Sequence, residues 1–142
     1  MGSAQQLDCY CATMRQTARA VTQVYNLALR PAEIEITHFT VLTVLDSNAG
    51  LTTGDLAQLL VMDQTTVTRT LRLMEKAGLV AWQPGADRRH KRWSLTGAGS
   101  GKFRAAHPLW AGAQALVQRQ FGDSTTEHLH QLSFALTDTL VS

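Results

Sequence analysis

Apolar residues return at spacings of three and four from Leu7 to Leu29, with Cys11, Met14, Ala18, Val21, Tyr25 and Ala28 on one stripe. That period predicts a first helix, which Pro31 ends. A second helix is expected from Glu33 to Leu45 around Ile34, Phe39, Leu42 and Leu45, followed by a turn at Asn48-Ala49-Gly50. Thr52-Thr53-Gly54-Asp55 sets a hydroxyl three residues ahead of a carboxylate, the pattern of a capping box, and opens a short helix through Leu60. Met62-Asp63 breaks that helix. Asp63 then caps another from Gln64 to Ala77, which Gly78 stops.

Beyond Gly78 the period changes. Leu79 to Trp82 reads as a short strand, Pro84-Gly85-Ala86-Asp87 as turn chemistry, and Lys91 to Leu95 as the returning strand. Trp82 and Trp93 are expected as core-facing anchors of this ribbon. Thr96 caps a long helix to Phe121, bent or offset at Pro108, and Thr125 starts a last helix to Leu140. The fold class expected is therefore mainly α with a small two- or three-stranded β wing: a winged helix-turn-helix carrying a helical dimerisation region. As a single domain over residues 1–142, it divides into a DNA-binding lobe at 33–99 and a helical lobe made of 7–30 and 100–142.

Composition sharpens this picture in two places. Hydrophobic residues are 44% of the chain and charged residues 17%, more apolar surface than one small monomer of 142 residues needs. Leu109, Trp110, Leu116, Val117 and Phe121 in one segment, and Leu129, Leu132, Leu136 and Leu140 in the next, form faces that call for a second copy. The net charge is only +2, but Arg88, Arg89, His90, Lys91 and Arg92 are consecutive, as in a solvated loop or a polyanion contact. No apolar run reaches the length of a membrane span and no signal-peptide pattern opens the chain, so a cytoplasmic location without membrane contact is expected. Cys9 and Cys11 are the only cysteines, too few for a disulfide framework.

The helix from Gln64 turns Val67, Leu71 and Met74 to one side and Thr65, Arg69, Arg72 and Lys76 to the other, at 100° per residue. A helix fits the major groove of duplex DNA, where arginine bonds the acceptor edge of guanine. The leading end of such a helix reaches the bases, which selects Gln64, Thr65, Thr66, Thr68 and Arg69, with Arg72 behind them. On the returning strand Lys91 and Arg92 point to opposite faces, so at most one aims at the backbone phosphates.

Asp87, Arg89, Leu95, Thr96 and Gly99 spell D-x-R-x-x-x-x-x-L-T-x-x-G, which resembles the wing signature of the MarR family of transcriptional regulators. Val67-Thr68-Arg69 and Leu73 to Val80 are similar to that family's recognition helix and its exit. The resemblance spans nearly the whole chain. It implies a homodimer bound to double-stranded DNA, with Arg89 at the wing tip entering a minor groove, Arg88 and Lys91 beside it, and Asp87 orienting a neighbouring arginine. It also implies a repressor released from a pseudo-palindromic operator by a small aromatic or phenolic effector. The pocket expected where the first two helices, the long helix and the head meet draws on Arg15, Tyr25, His38, Phe39 and Trp110. A core role for Tyr25 and Phe39 and a satisfied core or interface role for His38 are the competing readings.

Cys11 and Tyr25 are fourteen residues apart, the separation of the reactive cysteine and a tyrosine in the peroxide-sensing OhrR branch. Arg15 departs from that branch, which places a tyrosine one turn after the cysteine. A redox or metal sensor built on Cys9 and Cys11 and acting through the same fold is thus an alternative, against cysteines that are merely structural. On one helix, residues two apart face different directions, which argues against direct pairing. A winged helix that binds only protein is a third reading, which the run Arg88 to Arg92 disfavours. No cofactor, metal site or catalytic residue is indicated, and an enzyme is not expected.

Overall fold

The computed structural model describes residues 2–142; Met1 lies outside them. The elements are α1 (Tyr10–Leu29), a 3-10 turn (Arg30–Ala32), α2 (Ile36–Ser47), β1 (Leu51–Thr52), α3 (Thr53–Leu60), α4 (Gln64–Lys76), β2 (Val80–Pro84), β3 (Lys91–Leu95), α5 (Gly97–Phe121) and α6 (Asp123–Val141). The strands form one antiparallel sheet in the order β1-β3-β2, with Leu51 opposite Trp93 and Trp82 opposite Trp93.

The starts of three helices differ from the sequence pattern, and two have a visible cause. The first helix starts at Tyr10 rather than Leu7, with Cys9 extended ahead of it. The second starts at Ile36 rather than Glu33, because Glu33 is in the left-handed region and Asn26 of α1 accepts a hydrogen bond from the Ile36 N–H at 2.7 Å. The acceptor that opens this helix comes from another element, so no local cap marks it. The last helix starts at Asp123, directly after Gly122 with φ +83°. At Pro108 helix α5 continues to Phe121, although proline removes one hydrogen bond of the ladder.

The core is continuous from Leu29 and Ile34 through Phe39, Leu42 and Leu45 of α2, Leu56 of α3, Val67, Leu71 and Met74 of α4, and Val80 and Trp93 of the sheet to Ala106 of α5. It therefore crosses position 100, where the two lobes were expected to divide. The α4 stripe is buried as the periodicity predicted, and truncating Leu71 to alanine would cost about 2–5 kcal/mol. Trp93 is buried and donates its indole N–H to Thr53 Oγ1 at 3.1 Å. Trp82 is 39% exposed, so it is not the second core anchor expected. Its strand lies at the sheet edge.

The L-T-x-x-G element has a physical basis in a crowded junction. Thr96 caps α5 by accepting from the Gly99 N–H at 3.0 Å, and its hydroxyl donates to the Gly78 carbonyl at 2.5 Å. The Thr96 N–H also reaches the Leu79 carbonyl at 3.1 Å. A Cβ on Gly99 would lie 2.0 Å from that same Leu79 oxygen, so glycine is required by close approach. This knot joins the exit of α4 to the start of α5 and holds the hairpin between them.

Candidate nucleic-acid interface

Helix α4 is positioned by its neighbours at both ends. At its start, Asp63 Oδ1 accepts from the Thr66 N–H at 2.9 Å and Oδ2 from the Thr66 hydroxyl at 2.6 Å. These bonds hold the Asp63 carboxyl below the usual carboxylate range, the hydroxyl contributing most. The Thr66 hydroxyl proton is thus committed to the cap. The preceding turn passes through Val61 in the left-handed region, a conformation that strains a β-branched residue. Gln64, Thr65, Arg69, Arg72 and Lys76 are exposed, and Thr68 is half-buried. The structure therefore brings the named helix residues to one solvent face, with Thr66 and Thr68 at its margin.

The hairpin between β2 and β3 closes through the Gly85 N–H to the His90 carbonyl and the His90 N–H to the Asp87 carbonyl, both 3.1 Å. Within it, Asp87 Oδ1 accepts from the Arg89 backbone N–H and from Arg89 Nε, each at 3.2 Å, which lowers the Asp87 pKa. Asp87 thus orients the arginine, as the spacing of the wing signature implied. The Arg89 side chain is nonetheless 87% exposed. His90 Nε2 lies 3.8 Å from Asp87 Oδ2.

The two cations of β3 are both engaged within the protein. Lys91 Nζ sits 4.3 Å from the centre of the Trp82 ring and 5.7 Å from that of Trp93. Arg92 donates from Nη1 to the Gly50 carbonyl at 3.0 Å. Asp55, which completes the α3 capping box by accepting from the Thr52 N–H, has its carboxyl held low chiefly by Thr52 and to a lesser degree by the Arg92 and His90 charges. Among the described residues the ion pairs are those of Asp87 with Arg89 and His90. Arg69, Arg72, Lys76 and Arg88 consequently have no carboxylate partner there. Sequence reasoning overlooked one further bond: Trp82 Nε1 donates to Glu75 Oε1 at 2.9 Å, linking β2 to the end of α4. Nothing periodic connects those positions, since the pairing depends on the turn at Gly78.

The five residues expected to line one effector pocket are distributed over several places. Phe39 and Trp110 border a cavity of 280 Å³ with Thr40, Thr43, Val44, Phe103 and His107. There Phe39 stacks on Phe103 and Trp110, with ring centres 5.6 and 6.0 Å apart, and His107 closes the ring against Phe103 and Trp110. His38 borders a separate groove with Arg30, Glu33 and Glu35, and Arg15 a third with Arg19 and Gln23. Tyr25 lies in the core, donates to Gln114 Oε1, and has its hydroxyl pKa raised by burial. Phe103 and His107 could have been found from the sequence, being seven and three positions before Trp110 on one helical face.

Cys9 and Cys11 are both free and exposed. Cys9 precedes the first helical residue with φ −88° and ψ 119°, so the two thiols are not fixed on one helix as the pattern implied. No group of three or more His, Cys, Asp or Glu side chains placed to hold a metal occurs among the described residues, and no described helix is long and apolar enough to cross a membrane.

Known proteins share this architecture. The model of the MarR family matches residues 33–92. The Mycobacterium tuberculosis transcriptional regulator MosR, solved in complex with DNA, is 36% identical, with 93% of this chain and 98% of that one covered and a TM-score of 0.80. A mutant of Escherichia coli MarR complexed with operator DNA is 25% identical, with 91% of each chain covered and a TM-score of 0.76. Staphylococcus aureus MepR, in a complex with DNA, shares the fold at 21% identity, with 94% and 99% covered and a TM-score of 0.79. No curated protein sequence matches. Identity over almost the full length of MosR, together with the family match across the helix-turn-helix and wing, shows that this chain belongs to the MarR family.

Proposed function

We propose that the chain is a dimeric transcriptional regulator that binds double-stranded DNA in the cytoplasm, by recognition rather than catalysis. Helix α4 enters the major groove with Gln64, Thr65, Thr68 and Arg69 at base edges and Arg72 toward the backbone, while Thr66 stays bonded to the Asp63 cap. Arg89, steered by Asp87, enters the adjacent minor groove, where narrow A·T-rich sequence attracts a guanidinium group. Arg88 lies along the flanking phosphates, while Lys91 stays over the Trp82 ring at the base of the wing. The observation that carries this reading is a set of exposed cations on α4 and on the wing, Arg69, Arg72 and Arg88, that lack acidic partners within the described residues. DNA complexes of MosR and of an E. coli MarR mutant, both at or above one quarter identity, support it.

A repressor on a pseudo-palindromic operator, released by a small aromatic or phenolic effector, is the form of regulation that fits. The cavity walled by Phe39, Phe103, His107 and Trp110 is the better candidate for the effector than the five-residue set expected from sequence. Selection of duplexes from a random pool tests the reading. It should return a two-fold symmetric site with half-sites about one helical turn apart. A pool that stays random would contradict it.

A second reading rests on the exposed thiols. Cys9 and Cys11 at the entry to α1 would sense a hydroperoxide: two thiols and one hydroperoxide give a disulfide, an alcohol and water. The extended backbone at Cys9 supports it by removing the helical constraint on the pair. Replacing Cys11 with serine should abolish peroxide-triggered release from DNA, and release that persists would remove this reading.

A further inference from the structure

The edge tryptophan of the wing is bound from two sides. Its indole N–H donates to Glu75 Oε1 at 2.9 Å, and the Lys91 ammonium lies 4.3 Å from its ring centre. A carboxylate at the N–H edge and a cation over the face polarise the same ring in compatible directions. Glu75 belongs to the last turn of α4, while Trp82 and Lys91 belong to the two wing strands. Trp93, opposite Trp82 in the register, extends the connection through Thr53 to the start of α3. Both tryptophans and Lys91 share one face of the hairpin, because Trp82 pairs with Trp93 and Lys91 is two residues before it.

We infer that Glu75, Trp82 and Lys91 form a clasp that sets the wing against helix α4, making Glu75 and Trp82 positioning residues for DNA recognition. The inference rests on the proposed DNA-binding function. Between the two surfaces the chain turns at Gly78, where φ is +77°, and the Thr96 bonds to Gly78 and Leu79 fix the base of the hairpin, which leaves the angle of its outer part to the clasp. Arg89 lies about seven residues beyond Trp82 along the hairpin, so a small change of angle at the clasp becomes a larger displacement at the tip. Glu75 thereby explains itself: a carboxylate beside a polyanion interface is unfavourable unless it holds something that the interface requires.

The test uses the full chain and a duplex selected by the wild-type protein. Glu75→Ala removes the acceptor and Glu75→Gln keeps one, so the pair shares the same change of charge and isolates the hydrogen bond. Trp82→Phe keeps a ring under Lys91 and removes only the N–H. Glu75→Ala and Trp82→Phe should each weaken binding about fivefold, the equilibrium equivalent of one ordinary hydrogen bond. Glu75→Gln should restore most of that loss relative to Glu75→Ala. Hydroxyl-radical footprints should lose protection at the outer, wing-contacted positions and keep it at the centre of each half-site. Adding Arg89→Ala to Trp82→Phe should cost little beyond Arg89→Ala alone, since both act through the wing. Additive losses, uniform weakening across the footprint, or equal affinities for Glu75→Ala and Glu75→Gln would overturn the clasp. Thermal unfolding of each variant shows that it is folded. If the wild-type protein selects no duplex, the DNA-binding reading fails first, and a resolved indole N–H resonance that is unmoved in Glu75→Ala then overturns the clasp independently.

Discussion

Single residues in this fold carry definite physical duties, and two can be tested by one substitution each. Gly99 has no room for a methyl group, because the Leu79 carbonyl oxygen would sit 2.0 Å from it. That oxygen is backbone and already accepts from Thr96. Gly99→Ala should therefore destabilise the chain by about 1–3 kcal/mol or more, as overpacking does, read as a lower denaturant midpoint. Unchanged stability would mean that α5 can shift away freely. Arg89 has a different duty. It is held only by Asp87 and is otherwise in solvent, so Arg89→Ala should leave folding and assembly intact and weaken operator binding about tenfold, the scale of one lost base or groove contact. Equal affinity at physiological salt would count against a wing contact. The identity of these residues was legible in the sequence because the spacing of Asp87, Arg89, Leu95, Thr96 and Gly99 is local. The duties of Glu75 and Trp82 were not, because their partners meet only after the chain turns back at Gly78.

At the scale of elements, caps decide where helices start, and their visibility depended on where the cap comes from. The starts of α3, α4 and α5 were readable because Thr52, Asp63 and Thr96 lie next to the helices they cap. The start of α2 was misplaced by three residues because its cap, Asn26, belongs to α1. The aromatic cavity was likewise only half legible: Phe39 and Trp110 were found, and Phe103 and His107 share the helical face of Trp110, but only the packing of α2 on α5 makes that face a cavity wall. Two of the local caps, with the hairpin carboxylate, give an acid signature. Asp55, Asp63 and Asp87 all have pKa values depressed below 3.8 by hydrogen bonds. A depressed carboxylate contributes stability that is present above its unfolded pKa and is lost as pH falls through the folded one. Thermal stability should thus be level from neutral pH to about pH 5 and decline below about pH 4. Asp63→Asn, which keeps an acceptor but cannot ionise, should decline less steeply over that range; an identical acid profile would show that the α4 cap does not contribute.

The terminal helices present apolar side chains that a single chain does not cover. Helix α6 has no buried residue in its nineteen positions, and Leu129, Leu132, Phe134, Leu136, Leu140 and Val141 are all exposed. Tyr10 and Met14 of α1 and Leu116 and Phe121 of α5 are exposed as well. So many exposed apolar side chains on the terminal helices mark an interface, and a two-fold dimer would bury them while setting two α4 helices on one side for two half-sites. This is the claim on which the account depends, since a lone head offers few phosphate contacts. Sedimentation of the full chain with a duplex chosen from a random pool, beside a scrambled duplex of equal composition, tests it directly. The account predicts two chains on each selected duplex, formed from a dimer that already exists without DNA, and little complex with the scrambled one at physiological salt. A monomer in free solution that binds both duplexes equally, or neither, would contradict it.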